Sequence, residues 1–171
     1  MEIWDLYTSS RELTGQTHVR GTEIPDGSYH LVVHVWIKSK KGKYLISQRS
    51  ANRPTFPLMW ECVGGSAIAG ESSLDAALRE TKEEVGITLS RERGRLLHSV
   101  VRDVVDGVRF GDILDVWVFD YDGDINLDDA TTDEVECAEW MTFDEIKGLY
   151  REGKLVKTLN YFFTEICGCA D

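Results

Sequence analysis

The pattern of apolar and polar positions changes in character near His30. Upstream, residues 1–27 are mostly polar and contain two groups of turn-forming residues, Thr14-Gly15 and Pro25-Asp26-Gly27. Glycine, proline and aspartate at such points favour tight turns between short extended segments. The pattern therefore predicts that residues 1–28 form a strand and hairpin that extend the main domain and cover one of its edges.

Downstream of His30, five segments have the β-branched and aromatic composition of strands. The first is a nearly continuous apolar run, which is typical of a buried strand. Turn signals at residues 40–43 and at Gly107-Val108 indicate connections between the first and second segments and between the third and fourth. The five predicted strands are residues 31–37, 44–49, 96–105, 113–121 and 136–141.

Three other segments have the features of helices. Residues 72–85 place apolar side chains at three- and four-residue steps, after two serines that suit a helix start and before Gly86, which suits its end. Thr142 and Glu145 form the capping-box pattern of a second helix, and residues 156–166 have the apolar spacing of a C-terminal helix. Strands and helices interleaved with hairpins predict an α/β fold, a mixed β-sheet sandwiched between helices.

Length and charge narrow the class of protein. A chain of 171 residues is long enough for one domain with a core, so residues 1–171 are expected to form a single domain. The formal net charge of −11 argues against nucleic acid or an anionic membrane as the main partner, because both reward clustered lysine and arginine. The sequence has no apolar run of membrane-spanning length, no secretion signal and no zinc-type cysteine spacing, so we expect a reduced, cytoplasmic protein.

Residues 65–87 contain the candidate chemistry. Glu80, Glu83 and Glu84 are spaced i, i+3 and i+4, so a helix brings their carboxylates to one face. Like charges at these spacings destabilise a helix by roughly 0.2–0.5 kcal/mol per pair, and a divalent cation reverses that cost because Mg²⁺ prefers oxygen ligands. A solvated acidic face would explain the glutamates alone, but not the glycine loop before them. Arg79, eight residues after Glu71, predicts an ion pair between that loop and the helix.

The same stretch resembles the Nudix box. That motif begins with glycine, five residues of any type, glutamate and seven further residues. It continues with Arg-Glu, an aliphatic residue, any residue, Glu-Glu, any residue, glycine and an aliphatic residue. The matching positions here are Gly65, Glu71, Arg79, Glu80, Glu83, Glu84, Gly86 and Ile87, with Thr81 in place of the first aliphatic residue. The segment from Trp60 to Gly65 also resembles the strand that leads into the box. The resemblance implies a Nudix fold and a hydrolase.

The resemblance also implies roles for individual residues. Glu80, Glu83 and Glu84 would bind Mg²⁺, with Mn²⁺ as a substitute, and the carbonyl of Gly64 or Gly65 would add a ligand. The attacking water would be activated by one of the box glutamates or by a glutamate from a later loop. The residues implied as catalytic are Glu80, Glu83 and Glu134, and those implied as orienters of loop and helix are Glu71 and Arg79.

Candidates outside the box come from the strands and loops around it. Glu134 lies in an acidic segment and is the first candidate for the later-loop carboxylate, with Asp112 and Asp115 as weaker ones. Arg49 and Arg53 are predicted to contact substrate phosphates. The histidines of the first long strand, His30 and His34, are expected to be core or edge residues.

The predicted reaction is Mg²⁺-dependent hydrolysis of a diphosphate linkage. The substrate would be a nucleoside di- or triphosphate, or a nucleoside diphosphate linked to a further group. The expected partner is therefore a small-molecule diphosphate, and the sequence leaves a homodimer open.

Two alternatives remain at this point. The flanks of the box are also similar to type I isopentenyl-diphosphate isomerase, but that enzyme needs a cysteine just before the box glycine and a histidine just after it. This chain has Gly64 and Ser66 there, and the thiol of Cys62 lies two residues too early. The second alternative is a non-catalytic, nucleotide-sensing Nudix-fold module, although such modules tend to lose the box carboxylates, which are present here.

Overall fold

The computed structural model describes residues 2–105 and 108–167. Its main feature is a seven-stranded mixed sheet with β3 (His30–Lys38) and β8 (Val108–Asp120) at the centre, paired in parallel from His30 opposite Asp112 to Lys38 opposite Asp120. The predicted turn at Gly107 lies outside the described residues. No helix within the described ranges is long and apolar enough to cross a membrane.

The other strands of this sheet pair antiparallel with their neighbours. On one side β4 (Tyr44–Arg49) follows β3, and on the other side β7 (Gly94–Val105) pairs with β8. All five predicted strands are present, and β8 begins earlier than predicted because its pairing with β7 continues to Val108. The remaining strands are β5 (Trp60–Glu61), β6 (Val63–Ser66), which pairs with β3, and β9 (Val135–Met141), which pairs with β4.

Both faces of the sheet are covered, which confirms the predicted architecture. Helix α1 (Ser73–Val85) contributes to the core on one face, and α2 (Phe143–Arg151) contributes to the core on the other. Strand β3 supplies both cores, since Val33 packs with α1 and Trp36 packs on the opposite side. A strand buried on both faces has an almost unbroken apolar sequence, as this one does. Two short 3₁₀ helices in the connections are Arg91–Arg93 and Leu127–Asp129.

The N-terminal segment forms the predicted hairpin. Strands β1 (Ile3–Tyr7) and β2 (Leu13–Val19) make a separate two-stranded antiparallel sheet. Reciprocal backbone hydrogen bonds of 2.7 and 2.9 Å between Tyr7 and Tyr29 join it to the segment that leads into β3. The guanidinium of Arg11 also donates to the buried carboxylate of Asp115 in β8. The hairpin is thus attached to the main sheet through both backbone and side chains.

The single C-terminal helix predicted over residues 156–166 is wrong. The structure has a 3₁₀ helix at Lys157–Leu159 and a π-helical turn at Phe162–Ile166. The Phe162 ring stacks on Trp36 with centroids 4.2 Å apart and meets Tyr44 edge-on at 5.1 Å. Aromatic packing against a distant strand therefore sets the path of this segment, and the spacing of apolar residues along the chain does not show that contact.

Candidate active site

Helix α1 begins and ends where the sequence signals place it. The Ser72 hydroxyl accepts the backbone N–H of Asp75 at 3.2 Å, and Gly86 ends the helix with a left-handed φ of 73°. Thr81 is fully buried, and its hydroxyl donates to the Ala77 carbonyl at 2.7 Å. That bond satisfies the polar group inside the core, so a threonine occupies the position where the Nudix box has an aliphatic residue.

Three of the four acidic side chains of α1 line one cavity of about 340 Å³. Glu80, Glu83 and Glu84 therefore share one side of the molecule, as their spacing predicts. The strand and loop before α1 contribute to the cavity, and so do residues from distant parts of the chain. The other lining residues are Glu2, Arg20, Arg53, Gly64, Gly65, Ser66, Ile68, Arg79, Thr132 and Glu134.

Arg79 connects α1 to the loop that precedes it. Its Nε and Nη2 atoms donate to the two carboxylate oxygens of Glu71 at 2.9 Å, which is the predicted ion pair. Nη2 also donates to the Ser66 carbonyl at 3.0 Å, and Nη1 donates to both Glu80 and Glu83 at 2.9 Å. These bonds match the five N–H donors of a guanidinium, so Arg79 holds the loop and two acidic side chains in a fixed arrangement.

Burial dominates the electrostatics of the acidic face. Glu80 is 9% exposed and Glu84 is 5% exposed. Burial raises the pKa of Glu80 to about 7, although the neighbouring Arg79 acts in the opposite direction. Burial also raises the pKa of Glu84 well above its ordinary value, and the negative charges of Glu61, Glu80 and Glu134 add to that effect. A carboxylate in such a place is stabilised as an anion by a nearby cation.

Two glycines allow the strand β6 to approach these carboxylates. A side chain at Gly65 would place its Cβ 2.2 Å from Glu80 Oε1, and one at Gly64 would place its Cβ 2.5 Å from the Val33 carbonyl. The Gly64 N–H donates to Glu84 Oε2 at 3.3 Å. The absence of a side chain at Gly65 thus lets the backbone contact Glu80, and its absence at Gly64 lets β6 lie close to β3.

A later loop brings Glu134 to the same cavity. The backbone N–H groups of Thr131 and Thr132 donate to the Glu83 carbonyl at 2.9 and 3.2 Å, which fixes this loop against α1. Glu134 forms an ion pair with Arg53, and both residues line the cavity. Within the described chain, Arg53 Nε is buried without a hydrogen-bond partner. The structure therefore brings Glu134 and Arg53 to the box glutamates, as predicted.

Arg49 is placed differently from its prediction as a phosphate contact. Its side chain, 11% exposed, pairs with the Glu61 carboxylate and donates to the Thr55 carbonyl at 2.9 Å. The residues that line the acidic cavity include Arg53 and not Arg49. The sequence places Arg49 at the end of a strand. It does not show that Glu61, on the paired strand β5, forms an ion pair with the guanidinium of Arg49.

The two weaker carboxylate candidates are also engaged elsewhere. Asp112 accepts from Arg102 at 2.6 and 2.7 Å. Asp115 accepts from Arg11 and from the Ser99 hydroxyl. Neither aspartate lines the acidic cavity, so both serve as partners of arginines in the fold.

Several cavity residues were not predicted. Glu2 and Arg20 belong to the N-terminal segment and line the acidic cavity. Glu61 lines the smaller neighbouring cavity, and its charge helps to raise the pKa of Glu84. No local signal distinguishes these residues in the sequence, because only the folded chain brings the hairpin to the box. One acidic and one basic residue on a turn-rich segment are ordinary for a solvent-exposed surface, so they do not indicate a site.

The thiol of Cys62 lies in a different environment. Cys62 is 2% exposed, and burial raises the pKa of its thiol well above the ordinary value. It lines a smaller, adjoining cavity of about 140 Å³ together with His34, and this cavity shares Gly64, Gly65 and Ser66 with the acidic one. His34 is half-buried against Tyr161, with Nδ1 2.7 Å from the phenolic oxygen, in line with the expected core or edge histidine. Cys62 is thus absent from the described lining of the acidic cavity.

Comparison with known proteins agrees with this geometry. The NUDIX domain profile matches residues 28–161. A curated relative, an uncharacterized Nudix hydrolase of Listeria monocytogenes, is 37% identical over 166 residues, which is 95% of this chain and 91% of that protein. An isopentenyl-diphosphate Delta-isomerase of Shigella flexneri is 30% identical over 78 residues, which is 45% of this chain and 43% of that protein.

A solved structure with the same fold comes from Francisella tularensis. It is a bifunctional NMN adenylyltransferase/ADP ribose pyrophosphatase complexed with AMP and a manganese ion, with a TM-score of 0.62 and 20% sequence identity. The similarity covers 82% of this chain and 41% of that one. The domain profile and the Listeria relative both extend over most of this chain, and its box residues surround one acidic cavity. The protein is a member of the Nudix hydrolase family.

Proposed function

We propose that this protein catalyses the Mg²⁺-dependent hydrolysis of a diphosphate linkage in a nucleoside di- or triphosphate, or in a nucleoside diphosphate linked to a further group. The observation that carries the proposal is the cavity in which Glu80, Glu83 and Glu84 of α1 meet Arg53 and Glu134 from two other segments. Carboxylates suit a metal, and guanidinium groups suit the phosphates that the metal polarises. A cytoplasmic location and a single catalytic unit over the whole chain are part of the proposal.

The donor chemistry of the cavity suits a hard divalent cation. Within residues 2–105 and 108–167 no group of three acidic, histidine or cysteine side chains is already arranged to hold a metal. Arg79 accounts for this, since it binds Glu80 and Glu83, which would have to turn towards a cation. The buried Glu84 carboxylate gains most from such a charge. The assigned ligands are Glu80, Glu83, Glu84 and the Gly64 carbonyl, with Mg²⁺ as the ion and Mn²⁺ as a substitute.

A bound ion of this kind polarises the phosphoryl group and lowers the pKa of a coordinated water. The side chains then supply orientation and a base. The base must be reached by water, which favours Glu83, whose side chain is 36% exposed, and Glu134, at 30%, over the buried Glu80. Glu71 and Arg79 keep the loop and helix in register, and Arg53 donates to the phosphates.

The proposal is tested with a panel of diphosphates in H₂¹⁸O with Mg²⁺. We expect nucleotides or nucleoside diphosphate derivatives to release labelled phosphate, pyrophosphate or nucleoside monophosphate, because water attacks phosphorus. The panel includes isopentenyl diphosphate, since part of the chain is similar to an isomerase. Conversion of that compound to its dimethylallyl isomer without label, and loss of the conversion in Cys62→Ala, would overturn the proposal.

The structure favours hydrolysis over isomerisation. Isomerisation needs an acid–base pair on the two sides of a carbon skeleton, and the buried thiol of Cys62 lines the other cavity. A purely sensing module would bind a nucleotide in the same assay and leave every member of the panel intact.

A further inference from the structure

The N-terminal hairpin is docked onto the loop of the Nudix box. The Ala69 N–H donates to the Ile3 carbonyl at 2.8 Å, and the Gly70 N–H donates to Asp5 Oδ2 at 2.7 Å. Both contacts involve residues between Gly65 and the start of α1. The hairpin lies outside residues 28–161, the part of the chain that matches the NUDIX domain profile. A segment external to that domain is therefore held beside the catalytic loop.

This docking adds two charged side chains to the acidic cavity. Glu2 precedes β1 and Arg20 follows β2, and both line the cavity with the box glutamates. They form an ion pair with each other, with side-chain exposures of 23% for Glu2 and 52% for Arg20. The hydrogen bond that Arg20 donates to Glu2 raises the pKa of Arg20, and the charges of Glu134 and Glu80 add to the effect. Arg20 thus lies within electrostatic reach of the proposed metal ligands.

The cavity is lined by three arginines, and they differ in how many of their N–H donors are free to bind a ligand. Arg79 uses its donors on Glu71, Glu80, Glu83 and the Ser66 carbonyl. The side chain of Arg53 has one described partner, Glu134, and its buried Nε has none. Arg20 has one described side-chain partner, Glu2, which it contacts through Nη1. Donors for a further anion therefore come from Arg53 and Arg20.

We propose that Arg20 and Arg53 form an anion subsite for the phosphoryl group of the substrate that is not the one attacked. The subsite rests on the proposed function, because it takes the second phosphate of the same diphosphate. Glu2 occupies Arg20 in the absence of substrate, and the phosphate displaces it. On this proposal the hairpin contributes a phosphate-binding residue to the active site.

The test compares Arg20→Met with Arg91→Met in the full-length chain. Arg91 is a matched control because it is also 52% exposed and ion-paired, to Asp75, away from the cavity. We expect Arg20→Met to raise KM for the best substrate of the panel by about tenfold or more with little change in kcat, since a charge-assisted hydrogen bond to phosphate is lost. Arg20→Lys should recover part of the loss, and Arg91→Met should match wild type.

Two further measurements separate binding from a structural role. Calorimetric titration with inorganic pyrophosphate and Mg²⁺ should show the same loss of affinity in Arg20→Met. Glu2→Gln should shift KM in the opposite direction, because it removes the competing carboxylate. An equal rise in KM in Glu2→Gln and Arg20→Met would show that the ion pair merely holds the hairpin, and would overturn the subsite.

The outcome is independent of that for the proposed function. If wild type hydrolyses the panel and Arg20→Met behaves like Arg91→Met, the subsite is wrong and the hydrolase assignment stands. If wild type cleaves no diphosphate but binds pyrophosphate through Arg20, the subsite stands and hydrolysis is wrong. If wild type neither cleaves nor binds, both are overturned.

Discussion

Among individual residues, Glu84 occupies a place that is costly for a charge. Its carboxylate is buried, and Glu61, Glu80 and Glu134 add negative potential around it. The backbone N–H of Gly64 is a neutral donor and compensates only in part. A buried carboxylate without a cationic partner destabilises the folded state. A glutamate at this position is therefore consistent with a site that binds a cation.

The first prediction follows from this environment. Glu84→Gln is expected to lower kcat by at least about 100-fold, because a metal ligand is lost, while the free energy of unfolding stays equal or rises as repulsion is relieved. Turnover and urea unfolding measure the two effects. Glu92→Gln, a change on the exposed 3₁₀ helix Arg91–Arg93, is the control and should alter neither. Near-normal turnover in Glu84→Gln would show that Glu84 is not a metal ligand.

The second prediction concerns the approach of β6 to α1. In Gly65→Ala the new Cβ would lie 2.2 Å from Glu80 Oε1, so the carboxylate or the strand must move. We expect a loss of activity of about tenfold or more and a destabilisation of about 1–3 kcal/mol. Gly148→Ala in α2 is the control, because nothing lies within 4 Å of its Cβ and alanine favours a helix by about 0.5–1 kcal/mol. Unchanged activity in Gly65→Ala would show that activity does not depend on the close approach of β6 to Glu80.

The residues of the box could be assigned from the sequence because their spacing is set by one helix and one short loop. The cationic residues could be assigned only in part. Arg53 lines the cavity as expected, whereas Arg49 is bound by Glu61 from the neighbouring strand. That pairing depends on strand order, which the local pattern does not contain. Arg20 was missed for the same reason, as the cavity around it is built from distant segments that include Arg53, α1 and Glu134.

At the scale of secondary-structure elements, the N-terminal hairpin depends on the pair formed by Arg11 and Asp115. Asp115 is fully buried in β8. Burial alone would raise the pKa of its carboxyl, but hydrogen bonds from Arg11, Ser73 and Ser99 outweigh that effect and hold the pKa below 3.8. The charged form of Asp115 is therefore stabilised by the fold, and this stabilisation connects the hairpin to the central sheet.

The third prediction is the pH dependence of that connection. Because the folded-state pKa is depressed, the contribution is present above the unfolded-state pKa of 3.8 and is lost as the pH falls through the folded value. Asp115→Asn should cost about 1–3 kcal/mol of unfolding free energy at pH 7, and the difference from wild type should shrink below pH 4. Urea unfolding at pH 7, 5 and 3.5 measures it. Asp103→Asn, at an exposed pair with Arg109, should cost about 0–1 kcal/mol. A difference for Asp115→Asn that does not change with pH would contradict this account.

The type of a secondary-structure element was predicted correctly where the apolar residues follow a single helical or strand period. Helix α1 has a cap, an apolar face and a terminal glycine, and it spans Ser73–Val85 as expected. The C-terminal segment has the apolar spacing of a helix but divides into shorter turns, since Phe162 packs between Trp36 and Tyr44. Contacts between aromatic rings that are distant in sequence determine the conformation of such a segment, and they outweigh its local helix propensity.

At the scale of the whole molecule, an enzyme with a formal net charge of −11 has to accept an anionic substrate. The candidate active-site cavity is also more acidic than basic, because its lining has five glutamates and three arginines. Two of those arginines are paired with glutamates from the same lining, and Arg79 is bound to two more. A divalent cation is the simplest way to reverse the sign of the local potential before a diphosphate enters.

The last prediction is that Mg²⁺ stabilises the folded protein in the absence of substrate. A ligand that binds only the native state adds about 2.7 kcal/mol at 100 times its Kd, which corresponds to a rise in Tm of roughly 5–10 °C for a chain of this length. The rise should saturate with Mg²⁺, occur with Mn²⁺ and reverse with a chelator. General screening of the negative charge predicts a different result, since NaCl of matched ionic strength would then raise Tm equally. Glu84→Gln separates the two explanations, because it removes one ligand and changes the net charge by only one unit. A loss of the saturable rise in that variant supports a metal site on α1, and an unchanged rise would mean that the ion binds elsewhere.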